Sequence, residues 1–324
     1  MRHPLVQTLT CEGAELDMGL FKVLTYVETL DLSGPRLLLQ ATDADRILRD
    51  DFGVVEGATL GASLDDSEQG GGLVTSESFV IKAVDSDAND NLTIQCLAAP
   101  VDGLKTPAQS ALFLTLKSVD EVLAEATGLG LDVGSFPMVD AWHLLPGERV
   151  SKKLRMLARE MGAALWYNRG QLHMHPLSYL WGLPKVKTFH HDDRRKPRLD
   201  QIDDYALTYR AEMVNDRVKR GYAGWKMTDP KGIIGGGSLH EQTQYDRGDI
   251  LGNLNRTLAP AIDLLIKGQG QYNPGDKLEL KYHRSRQGRP FDESIPPEIL
   301  VHTIASQQEK EQYRTRIKGV ILNE

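Results

Sequence analysis

His173 and His175 are the side chains of this sequence whose type and spacing come closest to a metal site. Residues two apart on a strand point to the same face, so the two imidazoles would lie side by side. A zinc site needs at least three protein ligands, and no motif supplies the third. His190, His191 and Asp192 are candidates only because they lie nearby in the sequence. We therefore expect packing or surface histidines and assign no metal ligands. Whether His173 and His175, or His190 and His191, bind a metal is left open.

Paired carboxylates are the second candidate chemistry, because a glycosidase uses one carboxylic acid and one carboxylate around the bond that it cleaves. The candidate pairs are Asp65 with Asp66, Asp203 with Asp204, and Glu28 with Asp31. One member of such a pair needs an apolar pocket that raises its pKa, and nothing in the flanking sequence indicates one. We assign no catalytic residue.

The sequence lacks the common motifs of nucleophiles and of phosphate binding. Residues 232–238 are rich in glycine but do not end in Gly-Lys-Ser/Thr, and neither Gly-x-Ser-x-Gly nor His-Glu-x-x-His occurs. Cys96 lies on an alternating apolar segment, which is typical of a buried strand residue. The four tryptophans are scattered without the basic residues of a base-stacking surface. The sequence therefore predicts a protein that is not an enzyme and binds no cofactor.

Length and composition are those of an ordinary globular protein with more than one domain. The chain has 324 residues, of which 40% are hydrophobic and 26% charged. We expect no membrane span, because no apolar run approaches the roughly 20 residues required. The first residues lack the apolar core of a signal peptide. Cys11 and Cys96 form no disulfide framework, so we expect assembly in a reducing cytoplasm.

Negative charge is concentrated at the N-terminus. Residues 1–100 contain 6 Lys and Arg against 17 Asp and Glu, whereas the remainder contains 32 against 28. This balance disfavours phosphate binding by the N-terminal third, because nucleic-acid affinity requires clustered cations. A solvated acidic face is the simple interpretation. The alternative is a surface that repels DNA or meets a basic partner.

Residues 1–106 have the short, alternating segments of an antiparallel β domain. The predicted strands are 21–27, 36–42, 59–65, 78–84 and 92–97. Between them, residues 43–51 are weakly helical, and residues 68–73 are too rich in glycine to be regular. The sequence predicts a small barrel or sandwich.

Residues 107–178 have the pattern of an α+β module. Ser118 and Glu121 form a capping box before a short helix that ends near Gly128. Ser151 is the predicted N-cap of a second helix, which ends at Gly162. The apolar face of that helix is predicted to consist of Leu154, Leu157, Ala158 and Met161. Two short strands around Asn168-Arg169-Gly170 then form a hairpin.

The remaining residues return to β structure. We expect residues 179–238 to form a connecting β segment that returns to the first barrel, with strands at 202–210 and 214–222 and a loop at 229–238. Residues 239–324 are predicted to form a second β domain, after a helix at 250–258. In that domain, Pro274 and Gly275 occupy the positions that a type II turn favours.

Several of these segments, in this order and spacing, resemble phage tail baseplate hub proteins, the family that includes late control protein D and the hub part of type VI secretion spike proteins. In the middle domain the resemblance lies in the 118–124 helix, the Leu154 to Gly162 helix, and residues 165–167 and 172–177. In the last domain it lies in residues 266–268, 272–280, 299–304 and 313–317. The motifs are short, cover about residues 107–324, and agree with the family in segment order along the whole chain.

The resemblance implies a mainly β fold, in which two tube-like antiparallel β-barrel domains flank a small α+β domain. It implies a structural homotrimer in a virion tail, forming a ring between the sixfold tail tube and the threefold central spike of a contractile tail. The implied partners are tail tube or tube-initiator proteins, the spike protein, the tape measure protein and other baseplate (wedge) proteins. No specific nucleic-acid binding is implied, although DNA passes through such a channel.

Two other functions are consistent with a tail location. The first is a tail-associated hydrolase of cell wall or polysaccharide, which would need a cleft holding one of the carboxylate pairs. The second is a tail-fibre or receptor-binding protein, which would bind a cell surface as an isolated chain. The chain ends at Glu324 without a needle or lysozyme extension. We therefore expect spike and wall-degrading activities to belong to other chains.

Overall fold

The computed structural model describes residues 4–87, 90–208, 220–224, 233–234, 239–243, 252–254, 256–284, 291–292 and 295–323. Within these ranges the fold is mainly β, as the sequence predicts. Among the helices that the structure describes, none has the length and apolar composition needed to cross a membrane.

The N-terminal β region consists of strands β1 to β7. Their bounds are β1 Val6–Cys11, β2 Ala14–Glu15, β3 Phe21–Thr29, β4 Arg36–Thr42, β5 Thr59–Asp65, β6 Val74–Ser86 and β7 Asn91–Ala98. Two helices accompany them, α1 (Ile47–Asp50) and α2 (Ala99–Lys105). The five predicted strands are confirmed, and β1 and α2 were not predicted. Apolar and polar residues alternate along the strands, so that one face of each strand packs into the core. In β4, for example, Leu37, Leu39 and Ala41 are buried while their neighbours are more exposed.

The middle region combines three helices with five strands. Its elements are β8 Leu112–Lys117, α3 Val119–Thr127, β9 Gly130–Val133, β10 Val139–Leu144, α4 Val150–Glu160, β11 Ala163–Asn168, β12 Gln171–Pro176 and α5 Leu177–Gly182. The capping box of Ser118 and Glu121 is confirmed, and Gly128 ends α3 in the left-handed conformation. The apolar face predicted for α4 is buried, and Gly162 follows the helix with a φ of 61°.

The predicted N-cap role of Ser151 is wrong. Helix α4 begins at Val150, with Arg149 as its N-cap in an extended conformation. Arg149 forms an antiparallel bridge with Pro107, which keeps it extended and lets the helix begin at the next residue. Ser151 therefore lies inside the first turn. It is buried, and its hydroxyl has no hydrogen-bonding partner among the described residues.

The C-terminal β region contains β13, β14 and β18 to β21, and a smaller sheet contains β15 to β17. The bounds are β13 Lys185–His191, β14 Ile202–Leu207, β15 Arg220–Gly224, β16 Ile233–Ile234, β17 Leu239–Thr243, β18 Thr257–Lys267, β19 Lys277–Tyr282, β20 Glu298–Glu309 and β21 Gln312–Asn323. Residues 252–254 are helical, but the predicted 250–258 helix gives way to β18 at Thr257. Most of the predicted 214–222 strand and 229–238 loop lies outside the described residues.

Thirteen of the described strands form one sheet that spans both β regions. Its main path runs β14-β18-β21-β20-β3-β4-β7-β6-β5-β1-β2, and β13 and β19 join it through β20. Strands β13 and β14 pair with β19 and β18. This corrects the expectation that residues 179–238 return to the first barrel, at least for 185–207. Sequence alternation predicted β14 as part of the 202–210 strand but did not predict β13, and it did not identify the partner of either strand.

Three apolar cores underlie this arrangement. The largest is continuous through the N-terminal and middle regions and includes both Leu39 of β4 and Leu157 of α4. A second core lies within the C-terminal region. A third joins all three regions through Leu30, Trp166 and Leu300, together with Leu177 and Leu180. The place where the three regions meet is therefore packed as well as hydrogen-bonded.

Candidate functional site: the junction of the three regions

Strand β20 belongs to both β regions at once. Along one edge, residues 298–300 pair with β19 of the C-terminal region and residues 303–309 pair with β3 of the N-terminal region. The other edge pairs with β21. Because one continuous strand supplies hydrogen bonds to both regions, neither can rotate against the other without breaking part of a sheet.

Gln308 links β20 to the start of the chain. Its buried side-chain oxygen Oε1 accepts hydrogen bonds from the backbone N–H groups of Leu5, at 3.0 Å, and Val6, at 3.1 Å. No main-chain pairing between β1 and β20 occurs in the described part of the sheet. The amide side chain thus connects two strands that the main chain leaves unpaired.

Asp66 connects the N-terminal region to the C-terminal region. It is fully buried; Oδ1 accepts from the N–H of Leu73 at 2.8 Å, and Oδ2 accepts from the N–H of Gly270 and from the hydroxyl of Tyr313 at 2.9 Å. Gly270 is required here, because a Cβ at that position would lie 2.6 Å from Cβ of Leu73. Burial and the adjacent Asp66 raise the pKa of Tyr313 far above its usual range, so the phenol stays protonated as a donor.

Arg169 brings all three regions together. It lies at the tip of the β11–β12 hairpin, in a two-residue turn with Gly170 in which both residues have positive φ. Its guanidinium donates to both carboxylate oxygens of Glu28 in β3, at 3.0 and 3.2 Å. It also donates to the carbonyls of Gly270, at 2.8 Å, and Tyr272, at 3.1 Å. One side chain of the middle region therefore holds a strand of the first β region and a loop of the last.

A second carboxylate lies beside this ion pair. The hydroxyl of Tyr167 donates to Oε1 of Glu77 at 3.0 Å, and Tyr26 donates to Glu28. Burial, reinforced by the charge of Glu28, raises the pKa of Glu77 to about 7 despite the hydrogen bond from Tyr167. Burial also raises the pKa of Glu28, although Arg169 acts in the opposite direction. Glu77 therefore favours a proton at mildly acidic pH.

His173 and His175 lie together on one face of β12, as their spacing predicts, and the carboxylate beside them belongs to Asp132. Oδ2 of Asp132 lies 2.9 Å from Nδ1 of His173 and 3.1 Å from Nε2 of His175. Burial alone would raise the pKa of Asp132, but hydrogen bonds from the two imidazoles lower it. The group borders a cavity of about 430 Å³, which is also lined by the turn at residues 273–276.

His190 and His283 form a second histidine group, separate from His173 and His175. Nδ1 of His190 lies 3.0 Å from Nε2 of His283, which in turn is 3.7 Å from Asp193. His191 points to the other side of β13, where Nδ1 lies 3.2 Å from Asp192. The suggestion that His190, His191 or Asp192 completes a site with His173 and His175 is therefore wrong.

Solved structures with the same fold are proteins of phage tails and of a related secretion system. The tail protein of Neisseria meningitidis MC58 matches with a TM-score of 0.65, over 97% of this chain and 95% of that one, at 11% sequence identity. The 43 kDa tail protein of prophage MuSo2 from Shewanella oneidensis matches with a TM-score of 0.64, over 97% of each chain, at 10% identity. The chain has the fold of these tail proteins.

A type VI secretion component shares this tail-protein fold. It comes from Escherichia coli, is described as structurally similar to tail proteins of bacteriophage T4, and matches with a TM-score of 0.55 at 11% identity. The match covers 96% of this chain and 76% of that one. No protein-family model and no curated protein sequence matches the chain. The matches to solved tail proteins confirm, at the level of fold, the resemblance seen in the short sequence motifs.

Within the tail-protein fold, the carboxylate pairs have structural contacts. Asp65 accepts from the N–H and hydroxyl of Ser67, and Asp66 holds the interregion contacts described above. Asp203 forms an ion pair with Arg198. Asp31 accepts from the N–H and hydroxyl of Ser33, and Glu28 binds Arg169.

Two junction residues, Glu28 and Asp66, were considered only as members of carboxylate pairs, and no residue was predicted to join the regions. Arg169 was predicted only as part of a turn, and Glu77, Asp132 and Gln308 were not singled out. A charged residue between Asn168 and Gly170 at a hairpin tip is an available signal, because a turn that requires positive φ favours glycine or asparagine over arginine. The partners of Arg169 lie more than 100 residues away and leave no local pattern.

Proposed function

We propose that this chain is the structural hub of a phage tail baseplate and forms a trimeric ring between the tail tube and the central spike. The observation that carries the proposal is the shared fold with tail proteins over 97% of the chain. The fold extends over both β regions and the middle region together, so the proposal concerns the whole described architecture and not one common domain.

The duplication of β regions fits the symmetry that a hub needs. A tail tube with sixfold symmetry and a spike with threefold symmetry require an adaptor that presents six similar units on three chains. Three copies of a chain with two β regions satisfy this count, and head-to-tail contacts close into a ring when the rotation between neighbouring copies is one third of a turn. The shared strand β20 and the Arg169 contacts fix the relative position of the two regions within each copy.

We also propose a passive role in the tail, with no catalysis. The carboxylates that a hydrolase would use are engaged in turns and ion pairs, as at Asp65 and Asp203. The partners we propose are tail tube, spike, tape measure and wedge proteins, and the type VI likeness favours a contractile tail. The acidic N-terminal third suits a channel that repels passing DNA.

The test is the mass and location of the protein. The chain, of 36.0 kDa, is purified alone and after co-expression with the tube and spike proteins of its own tail gene cluster, and native mass spectrometry gives the stoichiometry. We expect three copies per complex, with immunogold labelling at the baseplate end of purified tails. A chain that stays monomeric with both partners and is absent from tails would refute the hub.

A matched control separates hub binding from general association. The tube protein of an unrelated tail is co-expressed in place of the cognate one, and we expect no complex. If the chain lyses cell walls in a clearing assay, and substitution of one carboxylate abolishes the lysis, the passive role is wrong even if the trimer forms.

A further inference from the structure

The cluster of Asp132, His173 and His175 is the strongest concentration of ligand atoms whose role the junction does not explain. In this cluster, one atom from each side chain lies within 4.8 Å of the others. We propose that these three residues bind one divalent transition-metal ion, with zinc as the ion of choice. Nothing in the proposed hub function requires such a site, so the two proposals stand or fall separately.

The strand register explains why three ligands converge. Strand β9 runs parallel to β12, and Asp132 is the direct partner of His173. His175 lies two residues further along β12 and therefore on the same face. The carboxylate is placed by main-chain pairing on one side of the imidazoles, while β11 lies on the other side. A site on paired strands is held more firmly than one on loops.

The distances suit a small ion with short bonds. Ligand atoms about 2.0–2.2 Å from a tetrahedral zinc lie about 3.3 Å from one another. The distances from Oδ2 of Asp132 to the two ring nitrogens, 2.9 and 3.1 Å, are a few tenths of an ångström shorter. A small outward movement of Asp132, whose side chain is 50% exposed, would lengthen both distances to that value. Two imidazoles and one carboxylate are ligands that zinc, iron, nickel and copper accept.

Aromatic side chains hold the two imidazoles in place. The ring of His173 stacks on Trp166, with centroids 4.9 Å apart and planes inclined by 11°. The ring of His175 stacks on Tyr179 at 5.4 Å and 21°. Both stacks limit ring rotation, so little rotamer freedom is lost when a metal binds. The adjoining cavity leaves room for a water molecule as the fourth ligand.

The surroundings of His175 set the expected affinity. Its second ring nitrogen, Nδ1, is buried and has no hydrogen-bonding partner in the described part of the chain. Metal-binding histidines usually donate from the second nitrogen to an acceptor, and loss of that contact weakens binding about 10- to 100-fold. We therefore expect a dissociation constant in the micromolar range, weaker than that of a structural zinc site.

The second histidine group supplies a matched contrast. Asp193 also lies near two histidines, but both of its oxygens accept from the guanidinium of Arg195, at 2.8 and 3.1 Å. That guanidinium already neutralises the carboxylate, and its positive charge repels a divalent ion. We expect no metal binding there, and His283, which belongs to this group, provides the control.

The experiment uses the untagged full-length chain after treatment with a chelator. Isothermal titration calorimetry with zinc chloride is run on the wild type and on His175→Gln, Asp132→Asn and His283→Gln, each checked for folding by circular dichroism. We expect one zinc per chain in the wild type and in His283→Gln. His175→Gln should lose binding, and Asp132→Asn should bind at least tenfold more weakly. No saturable binding by the wild type at millimolar zinc overturns the proposal, as does unchanged binding by folded His175→Gln.

A measurement on the wild type alone keeps the proposal testable if the variants misfold. X-ray absorption of the zinc-loaded chain reports the first shell of the ion. We expect nitrogen and oxygen ligands at about 2.0–2.1 Å, with outer-shell scattering from two imidazoles. A spectrum with no imidazole scattering means that zinc binds elsewhere and overturns the site.

Discussion

Arg169→Met tests whether the junction depends on one side chain. Methionine keeps an unbranched side chain of similar length and removes the charge and all the donors. The variant leaves Glu28, whose side chain is only 2% exposed, without its cation. It also removes the donors to the carbonyls of Gly270 and Tyr272.

The loss of stability follows from the burial of the pair. Removing one partner of a buried ion pair costs about 3–5 kcal/mol, because the other charge stays buried without compensation. Since the side chain of Arg169 is 22% exposed, we expect a value near the lower end, about 3 kcal/mol. Adding Glu28→Gln removes the stranded charge, so the double variant should regain about 1–2 kcal/mol over Arg169→Met alone.

Urea unfolding at pH 7.5, followed by tryptophan fluorescence and circular dichroism, measures these differences. Trp166 lies on the same hairpin as Arg169 and reports on the junction. The control is Arg198→Met, because the Arg198 side chain is 58% exposed and its pair with Asp203 should contribute at most about 1 kcal/mol. The reasoning fails if Arg169→Met loses no more stability than Arg198→Met, or if the double variant is no more stable than the single one.

Three further predictions concern pH, the helix core and the β1 contact. The pKa of Glu77 is about 7 in the folded protein, against 4.5 in the unfolded chain. Between these two pH values the folded protein holds a proton that the unfolded chain has released. The resulting contribution to stability is therefore complete below pH 4.5 and is lost as the pH rises through 7. Glu77→Gln should remove up to about 3 kcal/mol of that pH dependence, measured as the difference between wild-type and variant unfolding curves from pH 5 to 8. Leu157→Asp should abolish folding, as measured by circular dichroism, because it buries a carboxylate in the core. The control Met156→Asp should fold, since Met156 is 49% exposed. A soluble, assembly-competent Leu157→Asp protein would contradict the placement of Leu157 in the core. Gln308→Leu should lower the unfolding free energy by about 1–3 kcal/mol, because the N–H groups of Leu5 and Val6 lose their acceptor. The control Gln307→Leu, at an exposed position, should change the unfolding free energy little. Equal effects of the two substitutions would rule out the bridging role of Gln308.

Sequence reasoning succeeded where the interacting groups are close in the chain. The capping box joins Ser118 to Glu121, three residues apart, and both hydrogen bonds form. The type II turn depends on Pro274 and on Gly275, whose φ is 91°. Such contacts depend on only a few consecutive residues, so the pattern predicts them without knowledge of the rest of the fold.

Sequence reasoning failed where a distant segment decides the outcome. Ser151 has the residue type of an N-cap, but the bridge between Pro107 and Arg149 starts the helix at Val150. Asp132 joins His173 through a parallel pairing across about 40 residues, and single-sequence alternation does not reveal strand partners. The same limit hid the pairing of β13 and β14 with the C-terminal region.

The polar contacts at the junction join residues that are far apart along the chain. Gln308 binds amides 302 and 303 residues away, Asp66 binds groups up to 247 residues away, and Arg169 binds Glu28 across 141 residues. Forming such non-local contacts carries a large loop-closure entropy, so we expect them to form late in folding. Their removal should therefore loosen one region against the other while leaving the largest core and the C-terminal core intact. For a ring-forming protein, the expected defect is a folded chain whose junction opens more often, because the shared strand β20 then holds the two β regions at the angle that closure requires with fewer polar contacts.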